Sequence, residues 1–338
     1  MNNYLNSVVQ ILRHGQNANS YKFALLRSLV QIVSRDPKSN TIVARELAKQ
    51  FLALYWPLEV TYRIRQGTDP DKDPVVMSAI RNLMQIGKIE SGTTLAAFKA
   101  NCPRDYDALI SRVEKTAFRD VIARFHTVRK AQVVPVLFTH GAIAGRTCSE
   151  LVLQEGARSF LKSHDQLLDY MAVAAWVRFT ENYSSSPKLF LKLSGESPKR
   201  TSLKSWQESL FILQGGQCFY CETKTEASSS EVDHVLPWSY VLEDRTWNLV
   251  LSCSKCNSSK SDRLPADTFL DKLLHRNAQI LSGTVTLKNG KFNRDFEEWH
   301  SRDLISHIRT KYDEAKGELF PIWYAARSSA ASRVRGNC

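Results

Sequence analysis

The stretch from Cys218 to Lys260 begins with C-F-Y-C, contains E-V-D-H at 231–234, and ends with W-N-L-V-L-S-C-S-K-C-N-S-S-K at 247–260. Two C-x2-C pairs bracket an Asp-His dipeptide and an Asn, and a further Asn directly follows the last Cys. Thiolates and carboxylate or amide oxygens favour different metal ions. The stretch therefore predicts two different metal sites close together in the chain.

The two cysteine pairs use four of the seven cysteines, namely Cys218 with Cys221 and Cys253 with Cys256. Two C-x2-C loops place four thiolates around one ion, in the tetrahedral arrangement that zinc prefers. The alternative is a pair of disulfides. Because the amino-terminal residues lack the apolar run of a secretory signal, we expect the reducing conditions of the cytoplasm. The pairs then predict a structural zinc, closed to water by its thiolate shell.

The residues between the cysteine pairs are suited to catalysis. Asp233 and His234 are adjacent, so on an extended strand their side chains point to opposite faces. One is free to bind a hard cation through oxygen while the other faces water or a partner group. Taken singly, each of them, like Asn248 and Asn257, also fits a turn, a helix cap or a structural role. Their joint occurrence within a four-cysteine frame favours the functional interpretation.

This combination resembles the HNH family of nucleases, whose fold is a β-hairpin followed by a helix around a metal, the ββα-metal motif. Members carry an Asp-His pair on the first strand, an Asn in the connecting loop, and a His or Asn on the helix. Many of them also have a four-cysteine zinc site. The corresponding residues in this chain are Asp233-His234, Asn248 and Asn257, with Lys260 one turn further along the helix.

The resemblance implies a role for each of these residues. His234 would be the general base that takes a proton from water, while Asp233 and Asn257 would hold one divalent cation through oxygen. Asn248 would fix the loop and orient the imidazole of His234. Lys260 would contact phosphate in the nucleic acid or be a solvated helix residue. Since Asn257 replaces the His of many members, the cation expected is Mg²⁺ or Mn²⁺.

The charge of the chain agrees with a nucleic-acid substrate. Lys and Arg total 46 against 34 acidic residues, a formal net charge of +12. Basic residues that neutralise phosphates release condensed counterions, so such a surface favours a polyanionic partner. No stretch approaches membrane-spanning length. We therefore expect DNA, most simply double-stranded, as the partner, with a homodimer or a partner protein left open.

The length of 338 residues favours more than one domain. The predicted fold class is α+β and predominantly α-helical. A helical amino-terminal domain at 1–190 would serve recognition, regulation or oligomerisation, and a basic linker would follow at 191–205. The charge of this linker could also track phosphates. An HNH domain with a helical carboxy-terminal cover would occupy 206–325, before a disordered tail at 326–338.

Apolar spacing predicts most of the amino-terminal helices. They are expected at 21–36, at 41–57 where Pro57 would stop the helix, at 74–87, at 106–128 and at 163–183. The alternating segments 132–141 and 149–156 predict a small hairpin. Four aromatic residues on these helices are predicted to be core rather than base-stacking groups: Tyr55, Trp56, Trp176 and Phe179.

Two functions of different classes fit the sequence. The first is a metal-dependent DNA endonuclease, with restriction or anti-phage defence as its setting. The second is a non-catalytic zinc module that binds nucleic acid, in which Asp233, His234 and Asn257 would serve only structural ends. Cleavage of RNA is a further alternative, because the motif recognises phosphate geometry more than base sequence.

Overall fold

A computed structural model of the chain describes residues 2–36, 39–129, 134, 137–140, 149–285, 290–299 and 302–325. These residues form two compact units. The first comprises Met1–Ser184 and Lys188–Ser197, and the second Ser185–Pro187 and Pro198–Cys338. The tail predicted at 326–338 lies outside the described residues.

The first unit is mainly helical, as its apolar spacing predicts. Its helices are α1 (Asn2–His14), α2 (Tyr21–Arg35), α3 (Ala44–Val60), α4 (Val75–Gln85), α5 (Leu95–Asn101), α6 (Pro103–Thr116), α7 (Phe118–Arg124), α8 (Ala157–Ser163), α9 (Asp165–Thr180) and α10 (Leu189–Ser194). Helix α2 packs against both α3 and α9, and most of its side chains are buried. In the described part of the chain, no helix combines the length and apolarity needed to cross a bilayer.

A three-stranded antiparallel sheet accompanies these helices. Strand β3 (Glu150–Leu153) lies between β1 (Thr41–Val43) and β2 (Phe138–His140). The β2–β3 pairing confirms the predicted hairpin where its residues are described. The prediction of a helix over 41–57 is wrong at both ends. Thr41 pairs with Val152 in the sheet, and α3 begins only at Ala44 and continues through Pro57 to Val60.

Hydrogen bonds connect the large aromatic residues of the first unit. The hydroxyl of Ser20 lies 2.8 Å from the Tyr55 hydroxyl and donates to Oε1 of Gln66 at 2.8 Å. The indole of Trp176 donates to the same oxygen at 2.7 Å. Tyr55, Trp56 and Trp176 are all buried, which confirms that they are core residues and not stacking platforms. Phe179 is only half-buried.

The second unit contains a β-hairpin, short helices and a carboxy-terminal helical cover. Its elements are α11 (Lys204–Leu213), β4 (Ser230–His234), α12 (Trp238–Val241), β5 (Leu249–Cys253), α13 (Ser254–Lys260), β6 (Leu264–Pro265), α14 (Asp267–Leu281), α15 (Gly290–Glu297), α16 (Leu304–Gly317) and β7 (Ile322–Trp323). Strands β4 and β5 pair antiparallel, from Ser230 with Cys253 to His234 with Leu249. Strands β6 and β7 pair in parallel.

The predicted linker is shorter in the structure. Helix α10 runs to Ser194 and α11 begins at Lys204, so the residues between the two helices are 195–203 rather than 191–205. Leu189 and Leu193 are buried, which explains why α10 extends into a stretch that composition alone marks as a connector.

A buried arginine holds the chain where it enters β5. Arg276, on α14, donates from Nη1 to the Leu249 carbonyl at 2.5 Å and from Nη2 to the Trp247 carbonyl at 2.9 Å. It also donates to the side-chain oxygen of Asn277 at 2.8 Å. Burial lowers the pKa of Arg276 to about 9. The guanidinium is surrounded by neutral oxygens. It therefore stabilises the fold by donating hydrogen bonds to buried backbone carbonyls.

We expect Arg276→Met to lower the free energy of unfolding of the second unit by about 3 kcal/mol, because buried carbonyls lose their donors. Urea unfolding followed by tryptophan fluorescence measures the change. Arg309→Met is the matched control. Its guanidinium lies 3.4 Å from Asp271 in an exposed pair, whose loss should cost less than about 1 kcal/mol. Equal losses for the two variants would contradict the role of Arg276.

Candidate active site

The four paired cysteines come together in the second unit. Cys218 and Cys221 precede β4, Cys253 ends β5, and Cys256 lies in the first turn of α13. Their sulfur atoms all lie within 4.8 Å of one another, and Sγ of Cys221 and Sγ of Cys253 are 3.8 Å apart. A tetrahedral zinc with Zn–S bonds of ~2.3 Å separates its sulfur atoms by about 3.8 Å. All four are free thiols, so the alternative of two disulfides is not the arrangement found.

The surroundings of the sulfur atoms fit a bound cation. Burial raises the pKa of the Cys218 and Cys256 thiols. Buried thiols this close do not ionise together unless a positive charge compensates them, and a zinc ion would supply that charge. Cys253 also caps α13, since its Sγ accepts a hydrogen bond from the backbone N–H of Cys256 at 3.4 Å. The cysteine cluster therefore joins the end of β5 to the helix that carries Asn257 and Lys260.

Asn248 closes the loop between the two strands. Its Oδ1 accepts from the backbone N–H of Leu236 at 2.8 Å, and its Nδ2 donates to the carbonyl of Leu236 at 2.9 Å. The side chain is fully buried. Both ends of the amide are thus used on backbone that follows β4. The amide fixes the loop and does not bind the His234 imidazole.

Asp233 and His234 point to opposite faces of β4, as alternation along a strand requires. Oδ2 of Asp233 accepts a hydrogen bond from the Tyr220 hydroxyl at 2.6 Å and lies 3.0 Å from Nζ of Lys260. On the other face, Nε2 of His234 lies 2.9 Å from Oδ1 of Asp244. The strand thus presents a carboxylate to α13 and an imidazole to the turn that follows α12.

Four polar side chains lie between β4 and α13. We call this set the β4–α13 interface, and it consists of Glu231, Asp233, Asn257 and Lys260. Glu231 and Asp233 are two residues apart and share one face of the strand. Nδ2 of Asn257 donates to the carboxylate of Glu231, and Nζ of Lys260 pairs with Asp233. The two predicted ligands, Asp233 and Asn257, therefore belong to one interface, although each contacts a different neighbour.

The structure places Lys260 differently from the prediction. Its side chain is fully buried, and besides pairing with Asp233 it donates to the carbonyl of His234 at 2.6 Å. An ammonium group in this position neutralises the Asp233 carboxylate and ties α13 to β4. The Lys260 side chain is closed off from solvent, so the alternative of a solvated helix residue is wrong.

Sequence reasoning missed Glu231 and Asp244. A signal existed for Glu231, because it precedes Asp233 by two residues and shares its face of the strand. Asp244 lies ten positions after His234 in a turn, and spacing alone gives no reason to pair them. The hydrogen bond from His234, followed by that from the Thr201 hydroxyl, lowers the pKa of Asp244 below its usual range. Oγ1 of Thr201 donates to Oδ2 of Asp244 at 2.6 Å.

Comparison with known proteins gives two family matches. The family model described as "Domain of unknown function (DUF8808)" matches residues 1–193, which is more than half of the chain. The model described as "HNH endonuclease" matches residues 218–266. This second match covers both cysteine pairs, the hairpin and α13. It confirms the resemblance inferred from the sequence and identifies an HNH endonuclease domain in the second unit.

A solved structure is also similar over part of its length. It is the crystal structure of the Type II-C Cas9 enzyme from Actinomyces naeslundii, with 14% identity and a TM-score of 0.23. The alignment covers 95% of this chain and 39% of that chain, so this chain spans about two fifths of that protein. A TM-score this low does not establish a shared fold.

We expect Cys253→Ser to abolish the bound zinc and to unfold the hairpin and α13, because the apparent binding energy of a structural zinc is about 10 kcal/mol or more. Elemental analysis of the purified protein and its thermal unfolding measure both effects. Cys102→Ser is the control, since this half-buried thiol belongs to the first unit and not to the cluster. Retention of one zinc per chain with unchanged melting would contradict the assignment.

Proposed function

This chain belongs to the DUF8808 family and carries an HNH endonuclease domain, and from that premise we propose that it is a metal-dependent endonuclease that hydrolyses phosphodiester bonds in DNA. One observation carries the proposal. Adjacent residues of β4 present a carboxylate to the helix that bears Asn257 and an imidazole to the carboxylate of Asp244. Restriction or anti-phage defence is the setting that we propose for this activity.

His234 is the general base of the proposed reaction. The Asp244 carboxylate is an acceptor, so Nε2 of His234 carries the proton and donates it at 2.9 Å. Nδ1 then keeps its lone pair and is free to take a proton from a water molecule. Because Asp244 has a lowered pKa, it stays ionised at neutral pH and keeps the imidazole in this tautomer.

The β4–α13 interface supplies oxygen ligands for a divalent cation. Oδ1 of Asp233 and Oδ1 of Asn257 have no hydrogen-bond partner within the part of the chain that the structure describes. The Glu231 carboxylate accepts a hydrogen bond from Asn257 and offers a further oxygen ligand for the cation. Carboxylate and amide oxygens suit Mg²⁺ or Mn²⁺ better than softer ions. Such an ion, when bound, offsets the negative charge that develops on the leaving oxygen.

Lys260 and Tyr220 support the catalytic carboxylate. Both bind Oδ2 of Asp233, which holds the side chain in one orientation and leaves Oδ1 for a ligand. The buried ammonium also donates to the carbonyl of His234, so a single side chain fixes two consecutive residues of the site. This arrangement stabilises the positions of the acidic and basic groups before substrate arrives.

We expect the parent protein to nick supercoiled plasmid DNA in Mg²⁺ or Mn²⁺, and His234→Ala to lower the rate by about 10²–10⁴-fold, the usual contribution of a general base. Asp233→Asn should lose activity with its zinc retained. Gel separation of nicked and closed plasmid measures the rate. His275→Ala, an exposed histidine of the same unit, is the control.

Binding of plasmid by the parent without nicking in either metal would favour the non-catalytic zinc module instead. Cleavage of RNA but not of DNA would assign the activity to RNA.

A second prediction concerns Asp244. We expect Asp244→Asn to lower kcat by about 10–100-fold with little change in KM, because the imidazole loses the acceptor that fixes its tautomer and orientation. Steady-state cleavage of a labelled duplex measures both constants. The matched control is Asp271→Asn on α14, whose carboxylate is exposed and pairs with Arg309. An unchanged kcat for Asp244→Asn would show that His234 does not depend on this carboxylate.

A further inference from the structure

A basic segment outside the HNH match lies beside the proposed general base. We call residues 198–203, which precede α11, the entry segment; the match itself begins at residue 218. Thr201, in the middle of the entry segment, donates to Oδ2 of Asp244 at 2.6 Å, and Oδ1 of the same carboxylate pairs with His234. The entry segment is therefore linked to the catalytic imidazole through one carboxylate.

Arg200 is oriented by an aromatic ring in this region. Its guanidinium carbon lies 5.0 Å from the centre of the Trp238 ring, at the start of α12 and four residues after His234. Stacking on an aromatic face restrains the guanidinium plane and leaves its N–H edges available. The side chain is exposed to solvent. Stacking thus restrains the Arg200 side chain and leaves its N–H groups free to donate hydrogen bonds to a ligand.

The charge of Arg200 is not neutralised within the described residues. Asp244, the carboxylate that Thr201 contacts, accepts hydrogen bonds from Thr201 and His234 and is not paired with Arg200 among the described residues. Within the described part of the chain, no salt bridge pairs Arg200 with a carboxylate. Lys199, the preceding residue, is also exposed and adds a second positive charge.

We propose that Arg200 binds a backbone phosphate of the nucleic acid beside the His234 face of the site. The inference rests on the proposed nuclease function and adds a substrate contact to it. The guanidinium fork matches two phosphate oxygens, and its stacked orientation reduces the entropy lost on binding. A role in packing alone would explain the stacking on Trp238. It would not explain why an exposed guanidinium next to the proposed nuclease site has no carboxylate partner among the described residues.

The test measures binding of a labelled DNA duplex by the full chain in a His234→Ala background, where cleavage does not interfere. Each phosphate contact contributes about 0.9 to the slope of log affinity against log salt concentration. Arg200→Gln should therefore reduce the magnitude of this slope by about 0.9. It should also weaken binding by the same factor for two unrelated sequences, as a phosphate contact requires. Arg200→Lys should retain the slope, because it retains the charge.

Arg309→Gln is the control, since it removes one positive charge from α16 of the same unit and should leave the slope unchanged. Zinc content and melting equal to those of the parent show that the Arg200 variants are folded. In the catalytically active background, Arg200→Gln should raise KM several-fold and change kcat little.

Equal slopes for parent and Arg200→Gln, equal losses for Arg200→Gln and Arg309→Gln, or no binding of the duplex by the parent would each overturn the inference. A parent that binds with the expected slope but never cleaves would overturn the nuclease function and leave the phosphate contact standing.

Discussion

The convergence of four sulfur atoms is the constraint on which the active site depends. The cluster joins the loop before β4, the end of β5 and the first turn of α13. Strand β4 has five residues and α13 has seven. Isolated helices and hairpins of this length are marginal in water. A metal that bound the folded arrangement and not the unfolded chain would add to the stability that the surrounding apolar core provides.

The polar residues of β4 make different contacts on its two faces. One face of β4 carries Glu231 and Asp233 against α13, where a fully buried ammonium compensates one of the two carboxylates. The other face carries His234 toward Asp244. A buried charge without a partner is costly, so the pairing of Lys260 with Asp233 makes it possible to place an acid in the interior of a small unit. The same pairing uses only Oδ2 of Asp233, and Oδ1 has no hydrogen-bond partner among the described residues.

How far the sequence predicts these features depends on the range of the interactions involved. Short-range patterns predict well: the cysteine spacing gives the four-cysteine cluster, and the alternation at 231–234 places Asp233 and His234 on opposite faces, because both follow from local geometry. The ββα arrangement is expected from the resemblance to the HNH family. Contacts between distant parts of the chain do not appear in such patterns. Asp244 and Thr201 are separated by 43 positions, and their hydrogen bond follows from tertiary packing. The strand at Thr41–Val43 was missed for the same reason, since only its pairing with β3 makes it a strand. The position of Lys260 in the helix suits a solvated residue. Its side chain is nevertheless buried, because it forms an ion pair with the buried Asp233 carboxylate.

The hydrogen bond from Thr201 to Asp244 connects the HNH domain to residues that precede the family match. A fragment that began at residue 218 would keep all four zinc ligands, the hairpin and α13, and would be complete by the boundaries of the family match. It would nevertheless lack the Thr201 hydroxyl that donates to Oδ2 of Asp244, the carboxylate that pairs with His234. The limits of the family match therefore leave out at least the seventeen residues from Thr201 to Gln217, which include the side chain that hydrogen-bonds to Asp244.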